Sequence, residues 1–163
     1  MSSDALAHLC ESLDGPMAIV TAFDGRERSG CLVGFHTQCS IAPSRWIVCI
    51  SKKNHTYGIA QGAEWLALHF LRSDQLGLAQ LFGAVTDDVV PELKFQRCEW
   101  RAAGGGTPIL AGCDYIFGRV LERIDAGDHV AHLIDICETG NPHPAAPQLG
   151  FQDVQGMRPG HAP

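Results

Sequence analysis

Charge is scarce in this sequence, and positive charge is scarcer than negative. Asp, Glu, Lys and Arg make up only 18% of the 163 residues, and 12 basic residues face 18 acidic ones, for a formal net charge of -6. A protein that binds nucleic acids presents a basic face to the phosphate backbone. The charge balance therefore argues against nucleic acid as a partner. No apolar run approaches the roughly 20 residues of a membrane-spanning helix, so no membrane association is expected either.

Familiar signatures of nucleotide, zinc and serine-nucleophile sites are also missing. The chain has no GxxxxGK[ST], GxGxxG, HExxH or GxSxG motif. The glycine run at 104–106 lacks the lysine and hydroxyl residue of a phosphate loop and indicates a turn. His129 and His132 are three residues apart, so on a strand their side chains point to opposite faces and make a poor metal pair. No metal site is predicted.

Cysteine pairs are absent too. The seven cysteines are an odd number, and no two form a CxxC motif. Cys31, Cys39 and Cys49 lie in apolar, strand-like runs, where cysteine usually acts as a small hydrophobic residue. We therefore expect no disulfide framework and a reducing, cytoplasmic location. The N-terminal residues carry acids and no basic start, so a signal peptide is not expected.

Hydrophobic residues are plentiful, at 45%, and a chain of this length is large enough for one domain with a sizeable core. The apolar spacing near the N-terminus predicts a helix with a face formed by Leu6, Leu9, Cys10 and Leu13. Asp24-Gly25 between two runs of β-forming residues indicates a hairpin. Period-two alternation predicts strands at 115–124 and 129–136, joined by a turn at 125–128.

The order of these segments predicts a mainly β fold. Six or seven short strands, mostly linked by hairpins, with two or three helices between them, indicate an antiparallel β-barrel with peripheral helices. Five of the nine prolines lie in residues 140–163. The predicted organisation is therefore one domain over residues 1–140, followed by an extended or partly disordered tail rich in Pro and Gly over residues 141–163.

Two polar segments are candidates for a ligand site. Residues 34–40 end a strand in small and polar groups, which offer hydrogen-bond donors to a planar polar ring. Residues 51–56 place two lysines before a short helix at 55–61, which Asn54 can cap. Lysine charge, hydroxyl donors and a helix N-terminus together predict an anion site, most simply for a phosphate. Taken alone, residues 34–40 favour a strand followed by a polar loop, and residues 51–56 favour a solvated basic turn; the ligand-site interpretation of each is the alternative.

Several short motifs follow one another in a characteristic order along residues 13–156. They are MAIVT at 17–21, DG at 24–25, GCLVGFHTQCS at 30–40, VCISK at 48–52, NHT at 54–56, LHFL at 68–71, LFG at 81–83, GDH at 127–129 and LGF at 149–151. In this order the chain resembles the flavin reductase-like family of FMN-binding split β-barrels. The Gly127-Asp128-His129 triplet, in a hairpin after the helix that ends in Phe82-Gly83, is the most specific element of the resemblance.

The resemblance implies a six-stranded antiparallel split barrel and a homodimer with the flavin at or near the dimer interface. Members of the family bind FMN or FAD, and many oxidise NADH or NADPH to supply reduced flavin to a partner monooxygenase. We therefore expect an oxidoreductase, an NAD(P)H-dependent flavin reductase, with FMN as the first candidate cofactor and FAD as the second.

The resemblance also implies roles for individual residues. Residues 32–35 are expected along the edge of the isoalloxazine ring, 38–40 near the ribityl chain and phosphate, and 82–83 near the ring or its tail. Ser51, Lys53 and Thr56 are expected to hold the phosphate. The candidate cofactor-binding residues are Leu32, Val33, Gly34, Phe35, His36, Thr37, Gln38, Cys39, Ser40, Ser51, Lys52, Lys53, Asn54, His55, Thr56, Phe82 and Gly83. The candidate catalytic residue is His129, expected beside the nicotinamide.

Other interpretations remain open from sequence. The protein is alternatively a flavin-binding protein without turnover, or a split-barrel enzyme that uses a deazaflavin coenzyme or haem. His129 is alternatively a turn residue that caps its hairpin. His36 is either a local addition to the site or a ring packed inside the barrel.

Overall fold

The computed structural model describes residues 3–85, 90, 92–140 and 142–160. The helices in these ranges are α1 (Ser3–Ser12), α2 (His55–Gly62), α3 (Leu76–Ala84) and α4 (Phe151–Val154). The strands are β1 (Ala18–Phe23), β2 (Arg28–Val33), β3 (His36–Ser40), β4 (Arg45–Ser51), β5 (Trp65–Phe70), β6 (Trp100–Ala102), β7 (Pro108–Leu110), β8 (Asp114–Asp125) and β9 (His129–Gly140). Short 3₁₀ turns lie at Ser73–Gln75, Leu93–Gln96 and Gly104–Gly106.

The main sheet has seven antiparallel strands in the order β2-β1-β5-β8-β9-β4-β3, and it is not closed. The expectation of a mainly β, antiparallel fold with peripheral helices is confirmed, but the expected number of six strands is wrong. The extra strand arises because the polar run after β2 does not end as a loop. Strand β2 ends before Gly34-Phe35, and the chain then forms β3, which pairs with β4 from His36↔Val48 to Ser40↔Arg45.

β1 is buried on both faces and separates two apolar clusters. Ala18, Val20 and Ala22 face the cluster that includes residues of α2, whereas Met17 and Ile19 face the cluster that includes residues of α3 and α4. Because side chains alternate along a strand, a strand that is apolar on both faces except for Thr21, with helices on both sides, becomes the centre of the core. The helices are thus fixed around the sheet by burial against β1 and its neighbours.

The β8–β9 hairpin fixes the position of the Gly-Asp-His triplet. Its two strands of 12 residues pair from Tyr115↔Gly140 to Asp125↔Val130, with irregularities at two places. β9 also pairs with β4, so that His129 lies opposite Ser51. The two alternating strands expected from the sequence are therefore confirmed, and both are longer than expected. The tip of the hairpin lies where β4 ends and α2 begins.

The proline-rich residues 142–160 fold back onto the sheet, which differs from the extended or partly disordered tail expected from composition. Leu149 is only 1% exposed. Its backbone N–H donates to the carbonyl of Leu71, and its carbonyl accepts the N–H of Met17, both at 2.8 Å. Val154 of α4 joins the same apolar cluster. Burial of these apolar side chains ties the segment down, and the boundary at residue 140 stays a prediction.

The N-terminal helix forms as expected, but its apolar face is exposed. Leu6, Leu9 and Leu13 are 51%, 58% and 59% exposed, respectively. The C-terminal end of α1 is tied to the region of α4, since the Gln152 side-chain amide donates to the carbonyls of Glu11 and Leu13 at 2.8 and 2.9 Å. Among the described residues, no helix has the length and apolar character required to cross a bilayer.

His69 on β5 is completely buried and connects three strands. Its Nδ1–H donates to the carbonyl of Ile19 on β1, and its Nε2 accepts the backbone N–H of Leu110 on β7, both at 3.0 Å. These two bonds fix one tautomer of the neutral ring. Burial lowers the pKa of His69 from 6.5 to about 4, because the charged form would lose its hydration.

Acidification should therefore destabilise the fold. The unfolded chain protonates His69 near pH 6.5, whereas the folded chain resists protonation down to about pH 4. Stability that is fully present above pH 6.5 is thus lost progressively as the pH falls, and at about pH 5 this one histidine should lower the free energy of unfolding by about 2 kcal/mol. Urea denaturation at about pH 7.5 and about pH 5 measures the loss.

The matched variants isolate the contribution of the buried ring. His69→Gln should show a smaller decrease in the free energy of unfolding between the two pH values, whereas His8→Gln, at an exposed position of α1, should keep the full decrease. Equal pH dependence in His69→Gln and the parent protein would contradict the account.

Candidate functional site

The tip of the β8–β9 hairpin is held against the start of α2. The backbone N–H of Lys52 donates to the carbonyl of Asp128 at 2.9 Å. The ammonium of Lys52 is bound by both carboxylate oxygens of Asp125, at 2.8 and 2.9 Å. These contacts bring the Gly-Asp-His triplet beside the basic segment at 51–56. Two motifs that are distant in sequence therefore form one corner of the molecule.

His129 presents a fixed ring at this corner. Its Nδ1–H donates to the carboxylate of Asp128 at 2.7 Å, and this bond lowers the pKa of Asp128 below its usual value. With the hydrogen on Nδ1, Nε2 of the neutral ring is an acceptor. The imidazole centroid lies 5.2 Å from that of the Phe35 ring, with a tilt of 53° between the planes. The His129 side chain is 25% exposed, so a ligand can reach it.

Gly34 and Phe35 form an exposed link between β2 and β3. The carbonyl of Phe35 accepts the backbone N–H of Cys49 at 2.9 Å, which fixes the link to β4. A Cβ atom built on Gly34 would come within 4 Å of the Met17 thioether alone. The backbone of this link is therefore open to a flat ligand, next to the ring of His129.

The start of α2 uses most of its backbone donors internally. The Oδ1 of Asn54 accepts the N–H of Thr56 at 2.9 Å, which confirms Asn54 as the helix cap. The N–H of Asn54 donates to the carbonyl of Ser51, and the N–H of Lys53 donates to the Ser51 hydroxyl oxygen. Since these amides are engaged, an anion at this corner would depend on side chains, mainly the exposed ammonium of Lys53 and the hydroxyl of Ser51.

Three of the expected site residues have their side chains inside the fold. The hydroxyl of Thr56 is fully buried and lies 2.9 Å from that of Ser29. The Phe82 ring is 1% exposed and belongs to the apolar cluster beneath α3. The partly buried His36 donates its Nε2–H to the carbonyl of Pro16 at 2.7 Å, and its ring packs against those of Trp46 and Phe70. Thr56 and Phe82 are thus committed to the core, and His36 to this aromatic cluster, rather than to the corner beside His129.

Other expected residues also serve packing. Val33 is buried, and the Leu32 side chain packs against Gly83, where an added Cβ would meet it at 3.0 Å. His55 is partly buried, and its Nε2–H donates to Glu27 at 2.7 Å. Leu32 and Val33 can therefore support the ring-binding link through the backbone, as expected, but their side chains face the interior.

Thr37, Gln38, Cys39 and Ser40 lie on β3, which leads away from the corner. The register of β3 with β4 runs from Val48 back to Arg45. Ser40 is thus level with a residue six positions before Ser51, or about 20 Å from it along the strand. Within one chain this placement differs from the expectation that residues 38–40 lie near the phosphate. The difference arises because β3 forms a separate strand instead of a loop that returns toward Ser51, and the role of residues 38–40 stays a prediction.

Two residues around the corner have contacts that the sequence pattern does not predict. Asp125 belongs to the predicted turn, yet its carboxylate also binds the ammonium of Lys52; an acid two residues before Gly127 is the signal that could have indicated this. Lys94 is only 3% exposed and donates from Nζ to the carbonyl of Gly30 at 2.8 Å. It lines a narrow cavity together with Asn54, His55, Phe82 and Gly83. A lysine between the apolar Leu93 and Phe95 was the available signal.

No cluster of metal-binding side chains occurs in the part of the chain that the structure describes. Across residues 3–85, 90, 92–140 and 142–160, no group of three or more His, Cys, Asp or Glu side chains is arranged to hold a metal ion. His132, three residues after His129, is fully buried, and burial lowers its pKa to about 4. The groups that face a ligand at the corner are Lys53, Ser51, His129 and the Gly34-Phe35 link.

Comparison with sequence models of known families shows to which family the chain belongs. The model described as "Flavin reductase like domain" matches residues 10–158, nearly the whole chain. The chain belongs to the flavin reductase-like family. The resemblance seen in the ordered motifs is thereby confirmed. Among curated proteins, no significant sequence match was found.

Solved structures show the same fold at low sequence identity. An oxidoreductase structure from Sinorhizobium meliloti 1021 aligns with a TM-score of 0.80 at 23% identity, over 93% of this chain but only 51% of that one. The NADH:FAD oxidoreductase of Streptomyces globisporus C-1027 aligns with a TM-score of 0.80 at 20% identity, over 90% and 86% of the two chains. Nitrilotriacetate monooxygenase component B from Mycobacterium thermoresistibile aligns with a TM-score of 0.77 at 19% identity, over 91% and 84%. This flavin reductase-like chain thus spans about half of the first of these proteins and most of the other two.

Proposed function

We propose that this protein is an NAD(P)H-dependent flavin reductase, with FMN as the preferred flavin and FAD as the alternative. The observation that carries the proposal is the contact of the hairpin tip with two other segments. His129 lies beside the ring of Phe35 and opposite Ser51 at the end of β4. Membership of the flavin reductase-like family and the likeness to an NADH:FAD oxidoreductase support it.

The residues at the corner suit a flavin phosphate and a flat ring. The open backbone of Gly34-Phe35 would lie against the isoalloxazine ring, and Lys53 with Ser51 would bind the phosphate. When bound, the flavin supplies a hydride acceptor for the nicotinamide. The role of His129 would be to orient the nicotinamide carboxamide, because its Nε2 accepts a hydrogen bond from an amide N–H while Asp128 holds the other side of the ring.

A dimer that shares the flavin site is part of this proposal. Large apolar side chains are exposed on several elements, namely Leu6, Leu9, Leu13, Phe35 and Ile41. A second copy of the chain would cover part of this surface, and isologous twofold dimers are the commonest assembly of this kind. Sedimentation velocity at micromolar concentration should give a dimer; a monomer would remove the shared-site part of the proposal.

Supply of reduced flavin to a monooxygenase rests on the family and on the monooxygenase component among the similar structures.

Absorption spectroscopy under anaerobic conditions tests the function directly. The purified protein is mixed with FMN or FAD, and NADH or NADPH is then added. Bleaching of the flavin bands at a rate proportional to protein concentration is the expected result. Flavin that binds but is not bleached by either nucleotide would favour a binding protein without turnover. Purification with deazaflavin or haem bands would contradict the choice of flavin.

Replacing Lys53 should weaken the binding of FMN, which has a phosphate, but not that of riboflavin, which lacks one. Lys53→Ala removes a charge-assisted hydrogen bond worth about 1.5–3 kcal/mol, so FMN affinity should fall roughly tenfold or more. Riboflavin, which lacks the phosphate, should bind with nearly unchanged affinity. Fluorescence titration with both ligands measures the difference, with Arg119→Ala as a control at another exposed cation. Equal losses for FMN and riboflavin would assign Lys53 to some other role.

Replacing His129 should slow reduction without loss of flavin binding. In His129→Ala, stopped-flow bleaching at saturating protein should be about one to two orders of magnitude slower, equivalent to about 1.4–2.7 kcal/mol of lost transition-state stabilisation. The flavin dissociation constant should stay nearly constant, because the imidazole contacts the nicotinamide in this account. His143→Ala, at an exposed histidine near the opposite end of the hairpin, is the control. An unchanged reduction rate would leave His129 as a turn residue.

A further inference from the structure

Phe35 is an exposed aromatic residue on a backbone that is held in place. The residue is 65% exposed. Its backbone cannot move freely, because the carbonyl accepts the N–H of Cys49 at 2.9 Å. The neighbouring His129 ring is also fixed, by its bond to Asp128. The corner between these two rings is therefore a structured feature and not the result of a loose loop.

The rings of Phe35 and His129 together offer a ligand an apolar surface and a hydrogen-bond acceptor. Their planes are tilted by 53° with centroids 5.2 Å apart, and because Phe35 is 65% exposed, much of its surface is open to a ligand. Phe35 contributes an apolar π face, and Nε2 of His129 contributes a hydrogen-bond acceptor at the side. A ligand that fits has a flat apolar ring with an N–H donor at its edge. A nicotinamide ring with its carboxamide has this combination.

We propose that the Phe35 side chain stacks on the nicotinamide ring of the reductant and so sets the affinity for the dinucleotide; this inference rests on the proposed reductase function. Offset aromatic stacking gains most at centroid separations of about 4.5–7 Å. The oxidised nicotinamide is a cationic ring, and a cation over the face of a phenylalanine gains additional attraction. Phe35 is therefore a specificity-determining residue for the dinucleotide, whereas the backbone of the same link serves the flavin.

Two variants of Phe35 distinguish the effect of its aromatic face from the effect of its size. Phe35→Leu keeps an apolar side chain of similar reach but removes the π face, and Phe35→Tyr retains the π face. Leu121→Ser is the control, because Leu121 is 45% exposed on β8 and is not among the residues of the proposed site or of the proposed dimer surface. Each protein is measured for flavin affinity by fluorescence titration, for KM and kcat with NADH and NADPH, for NAD⁺ binding by equilibrium dialysis in the presence of flavin, and for mass by sedimentation.

The expected pattern is specific to stacking on the nicotinamide. Phe35→Leu should raise KM and the NAD⁺ dissociation constant about three- to tenfold, with kcat and flavin affinity changed less than about twofold, and Phe35→Tyr should restore the parent values. Unchanged or lower KM and NAD⁺ dissociation constants in Phe35→Leu would overturn the inference, as would a parallel loss of flavin affinity or dissociation to monomers. If the parent protein reduces flavin and Phe35→Leu matches it, only the inference fails. If the parent reduces no flavin with either nucleotide, the proposed function fails.

Discussion

The hydrogen bond from the Lys52 amide to the Asp128 carbonyl is the contact on which the site depends. It joins the tip of the β8–β9 hairpin to the residue that follows β4. The adjacent ion pair of Lys52 with Asp125 is exposed and therefore contributes little energy by itself. Its effect is geometric, since it orients the Lys52 side chain toward the turn. The larger constraint comes from β9, which pairs with β8 on one side and with β4 on the other and so leaves His129 a single place opposite Ser51.

Two carboxylates at this corner orient the Lys52 side chain and the His129 ring. Asp125 binds the ammonium of Lys52, and this contact lowers the pKa of Asp125. Asp128 accepts a hydrogen bond from His129 and so fixes the orientation of the imidazole. The ammonium of Lys52 is bound to the hairpin, and Lys53 is an exposed residue at the start of α2. In the proposed site, the charge of Lys53 would contact an anionic ligand beside an imidazole ring that is already oriented.

Much of the fold followed from local pattern, and most of what did not depends on tertiary pairing. The alternation in β8 and β9, the Asp24-Gly25 hairpin and the Asn54 cap are short-range features, and each occurs where the sequence indicates it. The seventh strand depends on whether residues 36–40 find a partner in β4, which no local pattern encodes. The same holds for individual side chains: Thr56 and Phe82 matched the family motif, but only packing against Ser29 and the core shows that they face inward. The ring contact of Phe35 with His129 joins residues 94 positions apart in sequence and could not be seen before the fold.

The central claim is that three separate segments, 34–35, 51–56 and 127–129, form one flavin-binding corner. Hydrogen–deuterium exchange with and without saturating FMN tests this claim most directly, because it reports on every segment in one experiment. The account predicts slower exchange on FMN binding in all three segments. It predicts little change near Glu138, about 30 Å along β9 from His129, and near Tyr115 at the same end of the paired strand β8. These residues lie beside a separate open cavity lined by Trp100, Arg101 and Tyr115. Protection confined to that cavity, with no change in residues 51–56 and 127–129, would contradict the account.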